Sequence, residues 1–182
     1  YGNDLRMMTT HLLLTCVIAL AAGDADPFQA NVRTTEPLAA EEQLKLFHVP
    51  PGFEVQLVAA EPELQKPMNL AFDGQGRVWV SGSIEYPYAA AGTGRDAIKV
   101  LDGFNDAGRA TRVTTFADGL NIPIGLYPYR EGVVAYSISQ LEYFRDTDGD
   151  GRADQRDVLY GPLDRPVDTH GMQNAFRRGA DG

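Results

Sequence analysis

The stretch DTDGDGRADQRD, residues 146–157, gathers carboxylates at a spacing that suits a cation. Asp146, Asp148, Asp150, Asp154 and Asp157 hold the first, third, fifth, ninth and twelfth places of a twelve-residue loop, with Gly151 at the sixth. That is the pattern of an oxygen cage for Ca²⁺, a hard ion that takes carboxylate, carbonyl and water oxygens. Asp146, Asp148 and Asp150 would supply carboxylate oxygens, Arg152 its backbone carbonyl, Asp154 a direct or water-mediated contact, and Asp157 the closing ligand. Asp157 is one methylene shorter than the Glu usual at that place. Mutually repelling carboxylates in one loop need a cation to hold them together, so the expected role is structural. The competing reading is a hairpin loop without an ion, where Asp and Gly serve turn chemistry alone. The second residue with chemistry to offer is His170, between Asp168 and Met172, because an imidazole can act as a base near neutral pH. A structural histidine is its alternative.

The flanks of the acidic loop, LEYF and DVLY, are short aromatic and β-branched runs rather than long helical patterns, so the loop is expected to cap a β-hairpin. The chain around it repeats. With a shift of 43, GRATRVTTFADGL (residues 108–120) lies over GRADQRDVLYGPL (151–163), and IKVLD (98–102) over LEYFR (141–145). Upstream, PMNLAFDGQGRVWVSGS (67–83) corresponds to PIGLYPYREGVVAYSIS (123–139), each a strand, a tight turn and a strand. A third copy opens at THGMQNAFRRGADG (169–182), with His170 in its first strand. Four short strands with Gly-rich turns in a repeat of roughly 40–55 residues describe a β-propeller blade. The expected fold class is therefore all-β: about two four-stranded blades plus the start of a third, the N-terminal piece of a longer propeller. A compact two-sheet β domain is the alternative.

In the first repeat the corresponding turn, GFNDAGRAT, keeps only Asn105 and Asp106 with Asp102 before them, and is expected to have lost the ion. The insertion IEYPYAAAGTGRD (84–96) is longer than its partner in the second repeat and should overhang one face; its GTGRD lacks the strand-to-helix context of a phosphate loop. Trp79, Tyr86, Tyr88, Tyr127, Tyr129 and Tyr136 are expected as core and loop anchors, and His48, before two prolines, on the surface.

Three segments are expected. Residues 1–25 form an upstream extension and a signal peptide: an apolar run of about eleven residues, 12–22, is too short to span a bilayer, and small residues follow for cleavage after Ala21 or Ala25. Residues 26–52 are a polar linker and a short helix, with Thr35 as cap, Pro37 in the first turn and Ala40, Leu44 and Phe47 on one face. Residues 53–182 are the propeller portion, opening with FEVQLV (53–58), whose alternation reads as a strand suited to closing a ring. Cys16 is alone, which excludes an intrachain disulfide and any CxxCH motif here. A net charge of −9 without a Lys/Arg cluster argues against nucleic acid as a partner. The expected location is exported, periplasmic or associated with the cell envelope, with no direct membrane span after signal cleavage.

The series PPGFEVQLVAAEP, LAFDGQGRVWV, TTFADGLNIPIGL, DTDGDGRAD and DTHGMQNAFRRGADG resembles the N-terminal half of a bacterial family labelled membrane-bound dehydrogenase domain, or PVC-type haem-binding proteins. That family's propeller is similar to the soluble quinoprotein glucose/sorbosone dehydrogenases, six-bladed enzymes that use pyrroloquinoline quinone and Ca²⁺. The resemblance implies oxidation of a sugar-like alcohol, with His170, followed by Gly179 and Asp181, in the place of the base that takes the proton as hydride passes to the quinone. It implies a small-molecule sugar-like substrate or electron acceptor as partner, and haem c only in a separate domain. A propeller that binds carbohydrate or a protein without catalysis, its Ca²⁺ purely structural, is the rival expectation.

Overall fold

The computed structural model describes residues 34–163 and 169–181. The chain divides into two units, residues 1–37 and Leu38–Gly182, and the second holds every element described here. The signal peptide and most of the polar linker expected before it lie outside the described residues.

Eight strands form two four-stranded sheets. Strands β1 (Pro67–Phe72), β2 (Val78–Gly82), β3 (Asp96–Phe104) and β4 (Ala110–Leu120) lie in sequence order in the first, and β5 (Ile124–Tyr129), β6 (Gly132–Ser137), β7 (Gln140–Arg145) and β8 (Gln155–Tyr160) in the second. Each neighbouring pair is antiparallel. These are the two repeats expected from the sequence, strand for strand. Runs such as Val78–Trp79–Val80 are apolar at successive positions because the first sheet is covered on both faces.

The main core lies between the sheets. Trp79, Ile98, Val100 and Phe116 from the first meet Leu126, Val133, Ala135 and Phe144 from the second, with the Trp79 and Phe116 rings edge to face at 4.7 Å. On its other face the first sheet buries Val80, Leu101 and Ala110 under Ala59 and Leu64. The sheets therefore stack in one sense. Phe144 of the second sheet faces the first, but Leu101, 43 residues earlier, points away from the second. The rung Leu126–Ala135 likewise packs between the sheets, while Val80 of the matching rung Leu70–Val80 lies in the far cluster.

Asp96 holds the joint. Its buried carboxylate accepts hydrogen bonds from the Ser83 hydroxyl (2.7 Å), the backbone N–H of Ile84 (2.7 Å) and Glu85 (3.2 Å), and the N–H of Ile122 (2.8 Å) in the link from β4 to β5. Strands β1 and β5 run beside each other, and Asn69 bridges them: its Oδ1 accepts from the Gly125 N–H (3.0 Å) and its Nδ2 donates to the Asn174 carbonyl (3.4 Å). Gly125 has φ +68°, and a Cβ there would stand 2.6 Å from the Phe176 ring, so the close approach requires glycine.

Three expectations need correction. The helix, α1 (Ala40–Leu44), is one turn long, with Ala39 rather than Thr35 at its N-cap and no side-chain cap; Pro37 precedes it and Phe47 lies exposed beyond it. Without a capping oxygen and without a buried face, one turn is all that forms. FEVQLV is not a strand: the Val58 carbonyl accepts from Ala110 N–H at 2.9 Å, but the Phe53 N–H turns back to the Pro50 carbonyl (3.2 Å) and Phe53 is 72% exposed. A pattern with period two becomes a strand only where a neighbour supplies the ladder. For the same reason the third repeat is not a strand among the described residues, and His170 sits in a turn.

Asp73 shows how the turns are tied. Burial pushes its carboxyl up, but donors from Trp79 Nε1 (2.9 Å), the Arg77 side chain (2.6 Å) and the N–H groups of Arg77 and Gln75 outweigh this and hold it below the ordinary value. A lowered folded-state value contributes stability that is complete above the ordinary carboxylate range and lost as pH falls through the folded value. Asp73→Asn is therefore expected to flatten the acid side of a urea-midpoint-versus-pH curve below about pH 4. Asp96→Ala strands buried donors on both sides of the joint and is expected to cost about 3–5 kcal/mol by denaturant titration.

Candidate functional site

The acidic loop connects β7 to β8, as expected of a hairpin cap. Aspartate at its first position folds the chain round itself: Asp146 Oδ1 accepts from the N–H of Gly149 (2.7 Å) and Asp150 (3.2 Å), and Oδ2 from Gly151 N–H (2.9 Å). Asp148 accepts from Asp150 N–H (3.3 Å) and Asp150 from Arg152 N–H (2.8 Å). Gly149 and Gly151, at φ +83° and +89°, allow the reversals this needs. The consequence is a cluster. One oxygen from each of Asp146, Asp148 and Asp150 lies within 4.8 Å of the others. Hard carboxylate oxygens at that mutual distance fit a divalent cation such as Ca²⁺.

Asp154 and Asp157 have partners within the protein. Asp154 accepts from the Thr147 hydroxyl (2.8 Å) and Thr147 N–H (3.2 Å), and the hydroxyl bond holds its carboxyl below the ordinary value. Asp157 lies within β8, opposite Tyr143, where its Oδ2 accepts from Arg145 Nε (3.0 Å) and one terminal nitrogen (2.5 Å). Its short side chain reaches across one rung to Arg145. Arg152 turns its guanidinium to Asp118 of β4 (3.2 Å), and Ala153 N–H donates to the Phe116 carbonyl (2.7 Å), so the loop is stitched to the first sheet. In the first sheet the matching turn closes differently: Asn105 accepts from Ala107 and Arg109 N–H groups (3.0 Å each), and Asp102 pairs with Arg112.

His170 is exposed, in a turn, with its ring edge to face against Tyr86 at 5.4 Å between centroids. The adjacent Thr169 hydroxyl donates to the Pro87 carbonyl at 2.6 Å. Met172 packs against Ile122, Ile124 and Tyr136, with Tyr86 and Ala89 at its margin. Lys66 Nζ donates to the Tyr86 carbonyl (3.0 Å). Gly179 and Asp181 lie close together. Trp79 and Tyr136 are buried as expected, Tyr88 is 77% exposed, and His48 is exposed with its ring bonded to the Leu46 carbonyl.

Several residues that organise this region carry no motif. Asp96, Asn121 and Asn69 are single polar residues whose partners come from other strands and loops; their one local signal is polarity beside apolar runs. Glu142 is a fourth, buried in β7 and held by Arg156 Nε and a terminal nitrogen at 2.6 Å each. No helix among the described residues is long and apolar enough to cross a membrane.

The chain belongs to the family described as domain of unknown function DUF7133, which matches residues 39–182. No curated protein matches the chain, and no solved structure does.

Proposed function

Within that family, we propose that the two sheets are consecutive blades of a β-propeller in an exported protein resembling the quinoprotein dehydrogenases, with Ca²⁺ in the β7–β8 loop and His170 as the base that helps oxidise a sugar-like alcohol. The observation that carries the fold part is the single sense of stacking. In a closed two-sheet sandwich like faces meet; here Phe144 and the rung Leu126–Ala135 of the second sheet turn to the first, while Leu101 and Val80 at the matching places of the first turn away. Stacking of this kind continues around an axis, and the side-by-side β1 and β5 supply its inner edge.

For the metal, the support is the cluster of Asp146, Asp148 and Asp150. With Asp157 engaged by Arg145 and Asp154 by Thr147, the three clustered carboxylates remain, and water would complete the shell. A cage of this kind belongs with the weak sites of extracellular modules, at about 10⁻⁴–10⁻³ M. The ion would order the loop and, through Ala153 and Arg152, its seat on β4.

In the chemical reading, the substrate hydroxyl gives its proton to His170 as the carbinol C–H bond breaks and the carbonyl forms. A quinone, when bound, would supply the acceptor for the hydride and its two electrons. What supports this reading is that His170 is exposed and its ring packs edge to face against Tyr86. The same exposure favours the second reading, a propeller that binds carbohydrate or a protein without catalysis.

Two measurements separate these. Calorimetric titration should give Ca²⁺ binding in the range above, weakened at least about tenfold by Asp148→Asn and within about threefold in Asp157→Asn; an Asp148→Asn chain that binds as the parent does removes the metal. Dye reduction by the whole protein loaded with quinone and Ca²⁺, across a sugar panel, should fall at least about a hundredfold in His170→Ala. Unchanged turnover removes His170 as base, and no turnover with any sugar favours the binding module.

A further inference from the structure

The loop between β2 and β3 is out of proportion to its job as a connection. It runs from Ser83 to Arg95, thirteen residues between Gly82 and Asp96, whereas the matching connection in the second sheet is two residues, Ile138 and Ser139, between Ser137 and Gln140. A hairpin of this repeat closes without the extra residues. They are nonetheless fixed. Asp96 holds Ile84 and Glu85 at the start. Asn121 grips the middle twice, accepting from Ala90 N–H (3.1 Å) and donating to its carbonyl (2.9 Å). Glu85 accepts from the Arg95 side chain (2.9 Å) near the end, and Lys66 clamps the Tyr86 carbonyl. A loop tied at four places holds its side chains in place at little further entropic cost.

What the loop presents is a seat for the segment carrying His170: the Pro87 carbonyl for Thr169, Tyr86 and Ala89 for Met172, and the Tyr86 ring for the imidazole. We infer that this loop is a positioning element for His170, with Tyr86 a residue that orients its ring. His170 lies in a turn with no ladder of its own, so its backbone alone does not define where the imidazole points. An edge-to-face aromatic contact is directional and so restricts the ring. For a base that must meet one hydroxyl, misplacement on the order of 1 Å can cost a hundredfold in rate. As a catalytic device this rests on the proposed role of His170; as a positioning contact it does not.

The test reads both. The chain has three histidines, so a spectrum of ring-labelled histidine is simple, and His170→Gln assigns the resonance in question. Tyr86→Ala is expected to displace the His170 ring signals and leave those of His48 in place; Tyr86→Phe, which keeps the ring, should restore them. Lys66→Met, which releases the Tyr86 carbonyl without touching the ring, should broaden or displace them in the same direction and guards against a Tyr86→Ala chain that fails to fold. His170 signals identical in Tyr86→Ala and Lys66→Met to those of the parent overturn the inference. In the dye-reduction assay of the whole protein, Tyr86→Ala should lower kcat by about ten- to a hundredfold with KM within about threefold, and Tyr86→Phe should recover it. Unchanged kcat in Tyr86→Ala, where His170→Gln is inactive, also overturns it. Turnover indifferent to His170 removes the base and leaves the positioning to be decided by the spectra.

Discussion

The carboxylate of Asp96 is the constraint on which the rest of the structure depends. It stands buried where the first sheet ends and the second begins, and it satisfies donors from two directions: Ser83, Ile84 and Glu85 on the long loop, and Ile122 on the link between the sheets. Ile122 is a β-branched residue at φ +48°, a conformation such residues rarely adopt, and it is fully buried. Strain of that kind, of order 1–3 kcal/mol, persists only where surrounding contacts over-determine it. Its N–H is held by Asp96, its side chain lies in the cluster with Ile124, Tyr136 and Met172, and Pro123 follows with its own restricted φ. One side chain thus couples the angle between sheets to the path of the loop that backs His170.

The apolar clusters act on a different scale. The cluster between the sheets, centred on Trp79, Phe116 and Phe144, supplies most of the buried apolar side chains, but burial is non-directional and would tolerate sliding. Direction comes from hydrogen bonds at the margins: Asn69 between β1 and β5, Asp96 at the joint, and Ala153 to Phe116 at the acidic loop. The acidic loop has two connections at once, inward to its own carboxylate cluster and across to β4. A cation there would change more than a hairpin tip.

Legibility in the sequence followed the range of the interaction. The eight strands were readable because each repeat carries its own turn chemistry and its own alternation, and because two copies confirm each other. The acidic cluster of Asp146, Asp148 and Asp150 was readable for the same reason, since its bonds run within five residues. Asp157 read as the twelfth place of a loop, yet it lies on a strand, and the ladder with β7 sets it beside Arg145. FEVQLV had the right period and lacked a partner. The helix had the right composition and lacked both a capping oxygen and a face to bury.

By itself, then, the sequence determined the strand modules, their order, their turns and the three-carboxylate loop, because those depend on neighbours a few residues apart. Only the tertiary structure decided which face of each sheet meets the other, that Asp96, Asn69 and Asn121 are junctions, and that Tyr86 stands against His170. The reason is separation: Asp96 and Ile122 are 26 residues apart, Asn69 and Asn174 are 105 apart, and no local pattern encodes a bond whose partner is chosen by how two sheets stack.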